Sequence, residues 1–119
     1  AGQRAYLTRI QAGGVQRDFT VYFGDSDRIT SLAVDPEGNA ALAGHTTQSG
    51  TTDAFVARFD AKGNRLWTTH LGGSSAEGAV AVAIDLAGDV HVAGWTTSSD
   101  FPAEGDRIAE RQGFLTRIR

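Results

Sequence analysis

The 119-residue chain contains no cysteine, no methionine and a single lysine, Lys62. Without cysteine it can form neither disulfides nor thiolate metal sites. Its arginines are dispersed and its net charge is only -3, whereas a nucleic-acid groove needs clustered Lys and Arg. No apolar run approaches the roughly 18 residues of a membrane span, and no secretion signal is visible. Because methionine is absent, we expect either that an initiator methionine was removed or that the chain is a mature or excised segment.

Glycine, in contrast, is abundant at 15 residues, and the chain repeats itself about every 50 residues. The segment at 31–47, "SLAVDPEGNAALAGHTT", matches "VAIDLAGDVHVAGWTT" at 82–97. Likewise "AYLTRIQAGG" at 5–14 matches "AFVARFDAKG" at 54–63. A finer period lies within these matches, because "QAGGV", "DPEGN", "DAKGN" and "DLAGD" begin at positions 11, 35, 60 and 85. The unit is therefore a hairpin, and two unlike hairpins make one repeat.

The five-residue motifs predict tight turns between β-strands. In three of them Asp35, Asp60 or Asp85 begins the turn and is expected to cap it, while the fourth-place glycine takes a positive φ. Alternating runs rich in Val, Thr and aromatic residues flank each turn and predict strands. We predict strands at 5–11, 17–24, 29–35, 39–46, 53–60, 65–71, 79–85, 89–96 and 113–119. The polar stretch at 103–113 could form one or two helical turns.

Residues 53–102, "DAFVARFDAKGNRLWTTHLGGSSAEGAVAVAIDLAGDVHVAGWTTSSDFP", closely resemble the bacterial SBBP repeat, a family named for a seven-bladed β-propeller. The resemblance implies an all-β chain of antiparallel four-stranded blades, an incomplete propeller with about two blades per chain. It implies one domain, 1–119, with repeats at approximately 5–53 and 54–112 and an extra strand at 113–119. It also implies a non-catalytic protein without a cofactor, located outside the cell or in the cell envelope.

The resemblance further implies an order of strands within each blade. "ITSLAVD" and "AVAVAID" would be innermost, "AALAGHT" and "DVHVAGWT" second, "AFVARFD" third and "RLWTTHLG" outermost. The near-identical ends, "YLTRI" at 6–10 and "FLTRI" at 114–118, would then both be third strands.

Nine strands cannot close a propeller, which needs about four to eight four-stranded blades, and unpaired edges invite pairing with another chain. We therefore expect self-association through edge strands, with a six-bladed trimer favoured. Either 6–10 or 114–118 would complete the shared blade. The alternative is that the chain is a piece of a larger propeller.

Six residues are candidates for ligand binding because they recur after the "AG" pair of each repeat. An exposed Trp beside hydroxyl groups can hold a sugar ring, but the same position could instead seal the gap between neighbouring blades. The candidates are His45, Thr46, Thr47, Trp95, Thr96 and Thr97. The predicted function is a non-catalytic module for assembly, scaffolding or binding of a glycan or protein. The alternatives are a carbohydrate-binding lectin and a fragment of a propeller enzyme.

Other recurring residues are expected to be structural. Phe19 and Trp67 share one repeat position, which favours packing. Arg9, Arg58 and Arg117 share another, where pairing with acidic residues is favoured over a ring that binds anions. The three histidines fall at three different repeat positions, so no zinc site is predicted. Asp25 and Asp27 lie close together without the calcium-loop pattern, which favours a polar linker.

Overall fold

The structure, a computed structural model, describes residues 4–14, 16–24, 26–48, 50–72, 76–97 and 112–118. These residues contain no helix, and hence none that could cross a membrane. They form nine strands: β1 (Tyr6–Ile10), β2 (Arg17–Tyr22), β3 (Asp27–Val34), β4 (Ala40–Gln48), β5 (Thr51–Phe59), β6 (Arg65–Leu71), β7 (Glu77–Ile84), β8 (Val90–Thr96) and β9 (Gln112–Ile118).

The nine predicted strands are all present, with ends that differ from the prediction by no more than two residues. The prediction of one or two helical turns at 103–113 falls on residues 103–111, which lie outside the described residues. The last two residues of that stretch, Gln112 and Gly113, begin β9.

The strands form three antiparallel sheets, which we call the first, second and third blades. The first contains β1–β2, the second β3–β4–β5–β6 and the third β7–β8–β9. Neighbouring strands are also consecutive in the chain, as expected of hairpins joined by short turns. Only the second blade has four strands in the described residues. The all-β, incomplete-propeller prediction is confirmed.

Three of the turns carry the predicted aspartate cap. The Asp35 Oδ1 atom accepts hydrogen bonds from the backbone N–H groups of Glu37 and Asn39, at 3.0 and 2.9 Å. The fourth-place glycine, Gly38, has φ of 90°. Asp60 and Asp85 accept the same pair of backbone bonds in their own turns. Local turn chemistry thus sets the hairpin ends.

The glycine of the "AG" pair has a steric reason. The register of β3 against β4 shifts between Ile29 and Ser31, which marks a bulge. At this bulge the Arg28 carbonyl approaches Gly44 so closely that a Cβ on Gly44 would overlap its oxygen. A bulge also occurs at the repeat-equivalent position of β7, between Ala79 and Ala81. Only glycine permits such a close backbone approach.

The blades are held together by two apolar cores that share β5. Phe55, Ala57 and Phe59 point into the core between the first and second blades, with Leu7 and Phe23 of the first blade. Val56 points into the core between the second and third blades, with Val92 and other residues. The side chains of β5 therefore alternate between the two cores, and both faces of this strand are buried.

Candidate functional site

The candidate aromatic positions lie near the ends of the second strands in the second and third blades. Trp95 is paired across the strands with Gly78, and a Cβ at Gly78 would come within 2.7 Å of the Trp95 ring. The indole therefore packs against the backbone of Gly78, where the absence of a side chain makes room for the ring. The equivalent residue, His45, is paired with Arg28 instead. This placement of Trp95 supports packing within its own blade.

The threonines beside these aromatic positions already make hydrogen bonds. The Thr96 hydroxyl donates to Glu77 Oε2 at 2.8 Å, and both side chains are buried. The Thr97 hydroxyl donates to the Ala76 carbonyl at 3.1 Å. In the other repeat, Thr46 is buried and the Thr47 hydroxyl is 3.0 Å from that of Thr52. The hydroxyl groups of Thr47, Thr96 and Thr97 thus form hydrogen bonds between the ends of neighbouring strands.

The recurring arginines each pair with an acidic side chain. Arg9 Nε lies 3.3 Å from Asp18 Oδ2, and Arg117 Nε lies 3.9 Å from Asp89 Oδ2. Arg58 is largely buried and its Nη2 atom lies 3.1 Å from Asp35 Oδ2. The prediction of acid pairing is confirmed at all three positions.

Arg58 also joins two blades. Its Nη1 atom donates to the Gly88 carbonyl in the first turn of the third blade, at 3.0 Å. Burial alone would raise the pKa of Asp35, but hydrogen bonds from Asn39 and Glu37, together with the Arg58 charge, outweigh it and lower that pKa. Arg58 therefore works as a structural cation between blades.

In the third blade a histidine replaces the asparagine that contacts the capping aspartate in the other turns. Asp89 stands where the other turns have Asn39 and Asn64, whose side-chain amides donate to the capping aspartate. In the third blade His91 supplies the missing contact, with its Nε2 atom 2.9 Å from Asp85 Oδ2. The hydrogen bond with His91 is the main reason that the pKa of Asp85 is lowered.

Two acidic side chains come together where the second and third blades meet. Burial raises the pKa of Asp53, and the neighbouring Glu77 carboxyl raises it further. Asp53 Oδ1 is buried without a hydrogen-bond partner among the described residues. The repeat-equivalent position of Asp53 in the first blade is Arg4, which lines a cavity together with Asp27. Sequence reasoning missed the acid pair because the two residues are 24 positions apart.

No set of three or more His, Asp or Glu side chains in the described part of the chain is arranged to hold a metal ion. Asp25 lies outside the described residues. Asp27 Oδ2 accepts a hydrogen bond from the Gly24 N–H at 2.9 Å, so this carboxylate caps the entry to β3.

A long open slot runs beside β1. The sequence predicted an unpaired strand edge but not this slot. One edge of β1 pairs with β2, and no strand lies along the other edge in the described residues. Two cavities, of about 410 and 220 Å³, occupy this space between β1 and β3. The larger has a mixed lining, with charged side chains such as Arg4 and Asp27 beside apolar ones such as Ile29. The smaller is lined mainly by apolar side chains such as Leu7 and Leu32.

The apolar wall of the slot is unusually exposed. Leu32 and Val34 of β3 are 51% and 60% exposed. Their repeat equivalents, Val82 and Ile84 of β7, pack against the core that includes Ala41 and Ala43 of the second blade. The difference arises because the described part of the first blade has no inner strands to receive Leu32 and Val34. The slot is therefore suited, in position and in its apolar wall, to receive a pair of inner strands.

A smaller cleft of about 140 Å³ lies between the first and second blades. Phe23 and Phe55 form apolar walls, and Asp27, Arg65 and His70 bring polar groups to the same space. The Arg65 guanidinium lies 5.3 Å from the centre of the Phe23 ring. The cleft shares apolar walls and convergent polar groups with small-ligand sites, but it is smaller than their usual volume of roughly 300–1,000 Å³.

Comparison with known proteins agrees with this architecture. Residues 66–102 match the SBBP family, described as a beta-propeller repeat, which confirms the resemblance. A curated relative, "Regulatory protein FlaEY" of Caulobacter vibrioides, is 37% identical over 87 residues. The matched part is 60% of this chain and 9% of that protein, so the chain corresponds to a small part of its relative.

Proposed function

We propose that this chain, an SBBP-type β-propeller repeat protein, is a non-catalytic module that assembles with copies of itself into a closed ring of blades. The premise of the proposal is the repeat itself, because a repeat of this kind buries its faces only against neighbouring repeats. The name of the curated relative, a regulatory protein, is compatible with a role that involves no chemistry. From the family resemblance we place the module outside the cell or in the cell envelope.

The complementary ends of the chain carry the proposal. In the described residues, the first blade consists of the equivalents of the third and fourth strands, β1 and β2. The third blade contains the equivalents of the first three, β7 to β9. Each end thus offers what the other lacks, and the two ends of one chain point away from each other across the second blade. Two further copies, one at each end, can satisfy both ends, as expected of a head-to-tail interface that closes into a ring.

Counting blades favours a trimer. Each chain contributes one complete blade and parts of two shared blades, which is two blades plus one strand, because both ends carry an equivalent of the third strand. Three copies then give a ring of about six blades, within the usual range of four to eight. Closure removes the unpaired edges, which otherwise promote uncontrolled association.

The solution mass, measured by light scattering across a dilution series, tests this function. We expect a trimer that dissociates only at low protein concentration. A chain that stays monomeric at every concentration contradicts self-assembly, and its role would then depend on a larger protein. A dimer contradicts the six-bladed ring.

The cleft beside Phe23 favours a second candidate function, the binding of a carbohydrate or another small polar ligand. Because Phe23 is buried and Arg65 lies over its ring, such a ligand would be held chiefly by hydrogen bonds from the polar side chains of the cleft. The original candidates around His45 and Trp95 remain part of this proposal. A glycan array provides the test, and no binding to any glycan would contradict the lectin alternative.

Two variants distinguish the possible sites if a glycan binds. His70→Ala removes an exposed side chain of the cleft, whereas Trp95→Ala removes the ring packed on Gly78. Loss of binding only in His70→Ala assigns the ligand to the cleft. Loss only in Trp95→Ala, with an unchanged melting temperature, assigns it to the recurring aromatic position.

A further inference from the structure

We propose that β1 of one copy takes the place of β9 beside β8 of a second copy. The resulting blade would contain β7 and β8 from the second copy and β1 and β2 from the first. This inference rests on the proposed self-assembly and specifies which of the two matching terminal strands completes the shared blade. The partner is a second copy of this chain, bound through backbone pairing along the open edge of β1.

The place beside β8 is suited to either strand because their sequences agree at four of five positions, "YLTRI" and "FLTRI". In the structure Leu115, Thr116 and Arg117 of β9 pair with Ala93, Val92 and His91 of β8. In the same register β1 would place Leu7 opposite Ala93, Thr8 opposite Val92 and Arg9 opposite His91 of the second copy. The exchange therefore keeps both the strand pairing and the side-chain faces.

The exchange satisfies parts of the molecule that β9 leaves open. With β9 in place the third blade has no fourth strand in the described residues. The incoming β1 brings β2 with it as the fourth strand. The third blade of the second copy, in turn, fills the slot between β1 and β3 with its own inner strands. The exchange thus completes the third blade of the second copy and fills the slot of the first.

The surfaces that would meet in the slot match those that already meet elsewhere in the chain. In the second blade, Ala41 and Ala43 receive the large side chains of Val82 and Ile84. On the third blade, Ala93 is the repeat equivalent of Ala43, whereas the larger His91 replaces Ala41. Ala81 and Ala83 of the adjoining strand are exposed. These small side chains would receive Leu32 and Val34 of the first copy. Small residues facing large ones give dense packing between sheets.

The competing strand has one advantage, which makes the equilibrium testable. β9 pairs with β8 over seven residues, whereas β1 is only five residues long. The exchanged form loses the pairs of Gln112 and Gly113 but covers Leu32 and Val34. Since strand exchange needs a second copy, it should increase with protein concentration.

Cysteine cross-linking tests the register directly, because the chain has no cysteine of its own. The double variant Leu7→Cys/Ala93→Cys places thiols on strands that pair only between copies. Paired residues on neighbouring strands lie close enough for a disulfide, at about 4.5–5.5 Å between Cα atoms. After oxidation of the assembled protein, we expect covalent dimers and trimers on a non-reducing gel. The single variant Ala93→Cys and the pair Leu86→Cys/Ala93→Cys should remain monomeric there.

The matched pair Leu115→Cys/Ala93→Cys reports the opposite arrangement. Its disulfide closes within one chain and locks β9 onto β8, so we expect the oxidised protein to lose its ability to assemble. If that locked protein assembles as well as the reduced one, β9 keeps its place and strand exchange is wrong, although self-assembly stands. If every variant and the parent chain are monomeric by light scattering, self-assembly itself is refuted.

A pair of proline variants gives a second measurement that does not depend on disulfide geometry. Proline cannot donate a backbone hydrogen bond and disrupts strand pairing. Thr116→Pro weakens the competing β9, so the concentration at half-assembly should shift to a lower value. Thr8→Pro at the equivalent position of β1 should abolish assembly. A shift to higher concentration in Thr116→Pro would overturn the proposal.

Discussion

Replacing leucine by alanine at three positions tests how the blades pack. Leu42 is 2% exposed in the core between the first and second blades, Leu32 is 51% exposed in the slot, and Leu86 is 100% exposed in a turn. The side chain removed is the same in each variant, so the cost depends only on its surroundings. These variants therefore separate a packed core, an interface that forms on assembly and plain surface.

The expected costs follow from burial. Removing a fully buried leucine typically lowers the free energy of unfolding by about 2–5 kcal/mol, because transfer energy and a residual cavity both contribute. Leu42→Ala should therefore lower the melting temperature by roughly 10–20 °C in a chain of this size. Leu86→Ala should change stability by less than about 0.5 kcal/mol. Leu32→Ala should cost about 1 kcal/mol in the monomer, since about half of the side chain is already exposed.

Thermal unfolding followed by circular dichroism, at low and high protein concentration, measures all three variants. The cost of Leu32→Ala should rise with concentration towards that of Leu42→Ala, because assembly covers Leu32. The costs of Leu42→Ala and Leu86→Ala should stay constant. If Leu42→Ala behaves like Leu86→Ala, the first and second blades do not form a packed core. If the cost of Leu32→Ala is independent of concentration, the slot is not the assembly surface.

Three further predictions concern backbone and charge. Gly44→Ala should unfold the protein or lower its melting temperature sharply, because the new methyl group would overlap the Arg28 carbonyl; Gly13→Ala, which meets no atom within 4 Å, should have little effect in the same melting experiment. Asp53→Asn should stabilise the protein at neutral pH and lose that advantage towards pH 4. The reason is that the pKa of Asp53 is higher in the folded protein than in the unfolded chain, where it is about 3.9. The stability that this difference contributes is fully present below about pH 3.9 and is lost as the pH rises through the raised pKa of the folded protein. Asp60→Asn should behave oppositely, since backbone and side-chain hydrogen bonds from Asn64 lower the Asp60 pKa, and the stability gained above about pH 3.9 is lost on acidification. Melting temperatures measured between pH 3 and 8 check both signs, and parallel pH curves for parent and variants would contradict them.

The sequence by itself determined the local structure. A hairpin turn is specified by a few adjacent residues, such as Asp35 with Gly38, and strand alternation is visible within one strand, as in Phe55, Ala57 and Phe59. For this reason the nine strands, the capped turns and the repeat could all be predicted, and the repeat placed both chain ends on third strands. The acid partners of the arginines were predicted as a class.

Only the tertiary structure decided which surfaces are covered and which remain open. Leu32 and Val82 occupy equivalent sequence positions, yet one is half exposed and the other packs against a core. The reason is that the second blade supplies inner strands beside Val82, whereas the described part of the first blade supplies none beside Leu32. The meeting of Asp53 with Glu77 depends on how two sheets face each other, which no local pattern encodes. The same holds for the bond from Arg58 to the next blade. Such contacts join residues far apart in the chain, so they follow from the packing of whole blades.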